Sequence, residues 1–274
     1  MDDKPSYSDK KSSQEGRLII GQTLMLLSAV SLAVALILNL WFLVVSAVFL
    51  SVGVKLYFDA KEYLEKLRER FMHDEVKPRL KEESNIDFQP DEGIPKDFFE
   101  GSQTLEINQV YDSYQRFELK QDTLDIKGAF VRTGPKPSKF HTPHDDAFFE
   151  GKVVHVTFNN AFKTPVTLTD HTAENSHPFG TLYAHGDHAQ KFTAMADGSK
   201  EAFDTFTRKH GGEFKAVMKS NHLYLFLLDY RPFIDLAPAK PMGEPPIRFF
   251  QTFVEDVKTL ADTLRKQDAL MNLE

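Results

Sequence analysis

The chain has 274 residues, no cysteine, 41% hydrophobic residues and a formal net charge of −7. That length accommodates one or two globular units. The missing thiol excludes disulfides, thiolate metal sites and a cysteine nucleophile, and the acidic balance, with no Lys/Arg cluster outside the flanks of an apolar run, argues against nucleic acid as a partner.

Residues 1–16 are polar and predict a disordered tail. Between Arg17 and Lys55 lie 37 residues without a charge. As one helix they would reach about 55 Å. The hydrocarbon layer is about 30 Å thick, so a single span would need an extreme tilt, whereas two spans of about 18 residues fit. Basic residues stand on both sides, Lys4, Lys10, Lys11 and Arg17 before the run and Lys55, Lys61, Lys66, Arg68 and Arg70 after it. Positive flanks stay in the cytoplasm, so a hairpin satisfies both and a single crossing does not. The turn is expected at Asn39, Leu40 and Trp41, where Asn tolerates turn geometry and Trp prefers the interface. The run is too long for a cleavable signal peptide. It holds no ionisable group, which argues against a transporter or pump.

The expected domains are therefore a disordered tail at 1–16, a transmembrane helical hairpin at 17–57, a connecting helix at 58–82 and a soluble domain at 83–274. In the connecting helix Tyr57, Ala60, Leu64, Leu67 and Phe71 keep 3-4 spacing, and Pro78 ends or kinks it. Residues 83–98 read as loop. Alternating patterns then predict strands in "QTLEINQVY", "SYQRFELK", "DTLDIKGAFVR", "FFEGKVVHVTFN" and "TPVTLT". Val153, His155 and Thr157 fall on one face, Val154, Val156 and Phe158 on the other. A short helix is expected over 199–212, then a hairpin of "EFKAVMKS" and "HLYLFLLDY" turning at Ser220 and Asn221, and a last helix from about Pro246. The fold class is α+β: the helical hairpin, then a mostly antiparallel sheet with flanking helices.

The order of these pieces, the hairpin, "DAKEYLEKLRERFMHDEVKPRL", "FFEGKVVHVTFNNAF", "EAFDTFTRKHGGEF" and "HLYLFLLDYRPFIDL", resembles an uncharacterised bacterial membrane-anchored family known as a domain of unknown function. The resemblance implies the bacterial inner membrane, a multi-pass anchor, and both termini and an α+β domain in the cytoplasm. It supplies no catalytic residues.

Seven histidines lie between 141 and 188, including the pairs His141/His144 and His185/His188, with Asp145 and Asp187 beside them. Imidazole with carboxylate suits a divalent transition metal. The plainer reading is solvated surface histidine, because the pairs sit in Pro- and Gly-bearing stretches. Neither a nucleophile elbow nor a phosphate-binding loop occurs. The 24 phenylalanines read chiefly as core, with "YRPFIDL" (230–236) as either an exposed aromatic patch or a sheet-edge cover. Three functional readings follow. The favoured one is a membrane-tethered cytoplasmic binding, scaffold or sensor protein, whose partners are the lipid bilayer and either another protein or a second copy docked through the helical seams. The others are a metal-dependent hydrolase built on His141, His144, His185, His188, Asp145 and Asp187, and a membrane-active oligomerising effector.

Overall fold

The computed structural model describes residues 6–37, 41–102, 110–134, 149–163, 165–169, 197–210, 214–236, 242 and 244–266. The chain forms two compact units, Met1–Val76 with Leu236–Pro246, and Lys77–Asp235 with Ile247–Glu274.

The first unit is built on two long helices, α1 (Tyr7–Ile37) and α2 (Trp41–Phe71), each of 31 residues. Helix α1 starts ten residues earlier than the polar composition predicts. Ser6 and Asp9 cap each other: the Asp9 amide donates to Ser6 Oγ at 3.2 Å, and the Ser6 amide donates to Asp9 Oδ2 at 3.1 Å. This reciprocal box satisfies two orphan donors of the first turn, and Lys11 pairs with Glu15 one turn on at 3.6 Å. Residues 7–16 are therefore helix rather than disordered tail.

The two helices run antiparallel in close contact. Gly21 and Gly53 face each other, and a Cβ on Gly21 would stand 2.9 Å from both Gly53 O and Tyr57 N. Further along, Ser46 Oγ donates to Ser28 O at 2.9 Å and lies 3.1 Å from Ser28 Oγ. At the polar end the Tyr7 hydroxyl donates to Asp74 Oδ2 at 3.0 Å, and its ring meets Phe71 edge-on at 5.4 Å. The seam of Ala60, Leu64, Leu67 and Phe71 is buried within the chain, as its spacing predicts. The outward faces are open. Leu26 is 68% exposed, Trp41 71% and Phe58 60%. Both helices are long and apolar enough to cross a membrane, and only 11% of the most apolar window of each is buried. Of the expected turn, Asn39 and Leu40 lie outside the described residues, and Trp41 opens α2.

Pro78 acts as a kink. It has no amide to donate and its ring crowds the carbonyl four residues back. The helix widens into a π-turn at Met72–Val76 before resuming as α3 (Lys77–Ser84). Helix α3 ends on Asn85 with φ 54°, and the Ile86 amide closes back on Leu80 O at 3.1 Å. The Asn85 amide donates to Lys81 O at 3.2 Å, the bond of an αL cap, with Asn taking the left-handed position.

The second unit is a seven-stranded sheet, and every described strand pair is antiparallel. Its strands are β1 (Asp87–Gln89), β2 (Val110–Lys120), β3 (Leu124–Gly134), β4 (Phe149–Phe158), β5 (Val166–Thr169), β6 (Phe214–Lys219) and β7 (His222–Leu228), in spatial order β1-β2-β3-β4-β7-β6-β5. Helix α4 (Asp97–Ser102) precedes β2, α5 (Asp197–His210) precedes β6, and α6 (Glu244–Arg265) closes the fold. The α+β expectation holds. Short β1 falls where sequence predicts only loop, because its three residues are held by pairing with Arg116, Phe117 and Glu118.

A bulge breaks β2 between Tyr114 and Phe117, where Gln115 adopts φ 55°. The Gln115 side chain then clasps residue 234 in both directions, Nε2 to Ile234 O and Ile234 N to Oε1, each at 3.0 Å. This fixes the "YRPFIDL" segment against the sheet. Phe233 and Ile234 are buried there, while Tyr230 is exposed.

One sheet face packs against α6 through aromatic rings. Phe117, Phe233 and Phe250 lie 5.2–5.4 Å apart, and Phe88 and Phe253 extend the cluster. Lys152 is buried beside it. Its ammonium lies 2.7 Å from Asp229 Oδ2 and 5.8 Å from the ring centres of Phe233 and Phe253. The opposite face is closed over its apolar part by Ile94 and α4, with Phe99 on Val131, Phe149, Val153 and Phe226.

Two outcomes test this packing. Gly21→Val should push α1 from α2 and cost about 1–3 kcal/mol. The readout is disulfide formation between Ser28→Cys and Ser46→Cys in the otherwise cysteine-free chain, several-fold slower when Gly21→Val is added. Asp229→Asn strands a buried ammonium and should cost about 3–5 kcal/mol in chemical unfolding followed by circular dichroism. Adding Lys152→Met should recover most of that loss.

Candidate functional site

The sheet face under α4 changes character along the strands. One row, Ala129 on β3, Val153 on β4 and Phe226 on β7, is apolar. The next is Lys127, His155 and Tyr224, and the one after is Asp125, Thr157 and His222. The period of two places His155 and Thr157 on the face the alternation predicts, and the antiparallel register of β7 sets His222 and Tyr224 beside them.

His155 is 7% exposed. Tyr224 stacks on its ring at 4.7 Å and 22°, and Phe98 of α4 meets it edge-on at 5.0 Å. Its Nε2 lies 3.0 Å from His222 Nδ1, and Thr157 Oγ1 lies 3.4 Å from that same Nδ1. One imidazole donates and the other accepts. His155 Nδ1 is buried and has no hydrogen-bond partner among the described residues. An N–H orphaned there would cost more than a bare lone pair, so the favoured tautomer carries its proton on Nε2 and donates to His222.

Burial holds the His155 imidazole down at about 4, with the His222 and Lys127 charges acting in the same direction. Burial also lowers His222 and raises the Tyr224 phenol. At neutral pH the cluster is an uncharged, aromatic-walled constellation of two imidazoles, a phenol and a hydroxyl. It can accept or donate hydrogen bonds and relay a proton between the rings. Lys127 stands at its edge, 3.7 Å from Glu118 Oε1. On the same face Lys215, across from Phe226, is buried and held down at about 8 by burial.

A groove of about 280 Å³ lies between α5 and α6, lined by Thr205, Lys209, Asp256, Thr259 and Thr263 among others. Asp256 accepts from Lys209 Nζ at 2.8 Å and pairs with His210 Nε2 at 2.7 Å. Burial lowers the His210 pKa against the pull of Asp256.

The histidine-loop residues His141, His144, Asp145, His185, Asp187 and His188 lie outside the described residues. Among the described residues no three His, Cys, Asp or Glu side chains gather as a metal cage. His155 and His222 are the imidazoles that converge, with Thr157 as a hydroxyl neighbour. The sequence pattern places His155 on the correct face and does not single out His222, Tyr224 or Phe98. A signal for His222 and Tyr224 is present in "HLYLFLL", whose alternation puts both on one face, but their meeting with His155 depends on β4 and β7 being neighbours. The chain matches no protein-family model, no curated protein and no solved structure.

Acid should weaken this unit. The folded-state pKa of His155 lies below the unfolded value, so protonation favours the unfolded chain. Its contribution is complete above the ordinary histidine pKa of about 6.5 and is lost as pH falls from there toward 4, by about 1.4 kcal/mol per pH unit at most. His222 and His210, shifted in the same direction, add to the slope. Thermal midpoints from circular dichroism across this range should fall with acid, and His155→Phe should make the slope shallower without abolishing it. An unchanged slope would assign the acid sensitivity elsewhere.

Proposed function

We propose that the chain is a membrane-tethered binding or sensor protein of the bacterial inner membrane. The two long helices cross the bilayer as a hairpin, and the α+β unit works at the cytoplasmic face. The observation that carries this reading is the open apolar surface of α1 and α2: sixteen of the exposed large hydrophobic side chains lie between Ile19 and Tyr63. Water would penalise that surface, and hydrocarbon would not. Orientation is supported by the lysines and arginines on both flanks, Arg17 before the apolar run and Lys55, Lys61, Lys66, Arg68 and Arg70 after it. For the α+β unit the supporting feature is the His155–His222–Tyr224 cluster, uncharged and hydrogen-bonded, with His155 buried beneath Phe98 and His222 at its partly exposed edge.

Reporter fusions test location. A fluorescent protein after the C-terminus should glow, alkaline phosphatase at the same point should be inactive, and phosphatase inserted between Asn39 and Leu40 should be active. The protein should also stay in the pellet after alkaline carbonate. The reverse reporter pattern, or release by carbonate, would overturn the proposal.

A further inference from the structure

Helix α2 keeps an aromatic ring in the open where its uncharged run has already ended. Phe58 is 60% exposed, past Lys55 and beside Asp59. Lys55 and Lys61 stand three residues to either side of it, both exposed, on the face that the Ala60, Leu64 and Leu67 seam leaves open. The register of the helical pair brings in a third cation. A Cβ on Gly21 would stand 2.9 Å from the Tyr57 amide nitrogen. Arg17 lies one turn before Gly21 and Lys61 one turn after Tyr57, so in an antiparallel pair the two reach the same level. Among the described residues Arg17, Lys55 and Lys61 are exposed and enter no ion pair, although Asp59 and Glu65 lie one turn beyond the two lysines. Lys66, by contrast, is tied to Glu62.

We infer that Arg17, Lys55 and Lys61, ranged about Phe58, form a binding site for the phosphate group of an anionic phospholipid. This rests on the anchored reading given above and names the lipid that the hairpin selects. Depth carries the argument. From Arg17 to Ile37 helix α1 rises about 30 Å, the thickness of the hydrocarbon layer, which sets Arg17 and Lys61 at its edge. Lys55 stands about 9 Å deeper along α2. Its ammonium must run back along the helix to reach polar surroundings, as long cationic side chains do near the ends of spanning helices. That path passes Phe58 and ends at the level of Lys61 and Arg17. Three positive charges then share one level with a single carboxylate, Asp59. A phosphate diester supplies the missing anion, and a guanidinium can hold it through two parallel hydrogen bonds. The exposed ring decides between a lipid and a soluble anion. Phe58 would be wasted on an ion in water, whereas the glycerol and first methylenes of a lipid bury it. A zwitterionic lipid brings its own ammonium to the three cations, so a headgroup of net negative charge is preferred.

The chain has one tryptophan, Trp41 at the start of α2, which reports the anchor separately from the site. Full-length protein is reconstituted in phosphatidylcholine bilayers holding a fixed fraction of acyl-brominated phosphatidylglycerol or acyl-brominated phosphatidylcholine. In the native chain both lipids should quench Trp41 alike. Phe58→Trp combined with Trp41→Phe moves the reporter to the site and keeps a ring there. Phosphatidylglycerol should then associate about three-fold or more tightly than phosphatidylcholine. Lys55→Gln with Lys61→Gln should bring the two lipids to near equality, and Arg17→Gln should lower the preference about two-fold. Lys55→Arg with Lys61→Arg should retain it, and Lys66→Gln should leave it unchanged. Equal quenching by the two lipids at position 58, with Trp41 of the native chain quenched, overturns the site and leaves the anchor intact. An equal loss in Lys66→Gln overturns it in favour of a diffuse basic field. Loss of the preference on adding millimolar glycerol 3-phosphate overturns it in favour of a soluble anion. Absence of quenching at Trp41 overturns the anchored reading and this site with it.

Discussion

The apolar side chains of α1 and α2 have no interior to enter. The helices touch along one seam, where Gly21 meets Gly53, Ser28 meets Ser46 and Ala60, Leu64, Leu67 and Phe71 are buried toward the polar end, while sixteen large apolar side chains face out. Sixteen exposed large side chains at roughly 1 kcal/mol each would cost about as much in water as a domain's entire stability of about 5–15 kcal/mol. The seam has the character such a pair needs in hydrocarbon. Glycines allow close backbone approach, and the serine bond satisfies groups that lipid cannot. The polar end of the pair is handled differently, by the Ser6–Asp9 cap and the Tyr7–Asp74 bond, both of which use water-compatible groups. One helical pair thus carries two surface chemistries along its length.

The α+β unit solves its own burial problem with phenylalanine. Five rings, Phe88, Phe117, Phe233, Phe250 and Phe253, close one sheet face, and the doublets explain why. In each described pair one ring is buried and its neighbour is not: Phe99 against Phe98, Phe250 against Phe249. The outward partner then has a separate use. Phe98 reaches His155 on the other face, and Phe249 is left at the surface beside Lys152.

Long-period features are legible in the sequence and short or non-local ones are not. The 37-residue uncharged run, the β4 alternation and the β6–β7 hairpin at Ser220 and Asn221 follow from patterns longer than a turn, and all three appear in the structure. The β2 strand is harder. The patterns "QTLEINQVY" and "SYQRFELK" divide it at Asp112, where the 11-residue strand instead runs straight through with Asp112 paired to Arg132, and the bulge at Gln115 falls inside the second pattern. Strand β1 has three residues, too few for any period, and exists through its neighbour. The helical start at Tyr7 is hidden by polar composition, since a capping box stabilises a helix without adding an apolar residue. In the site, His155 is legible as to face and His222 is not, because strand order is a long-range fact that neither segment encodes alone.

The same sheet face also shows what packing alone would have chosen. Ala129, Val153 and Phe226 fill one row and satisfy nothing but van der Waals contact. One residue pair further along, with the strands equally paired and α4 still overhead, the row becomes Lys127, His155 and Tyr224, and then Asp125, Thr157 and His222. A buried imidazole with an unpartnered nitrogen is a poorer filler than valine at such a position, since it keeps a polar atom from water. Nothing in the backbone forces it, because the β ladder runs through both rows without a bulge. Van der Waals packing alone therefore does not account for the histidine pair beneath Phe98.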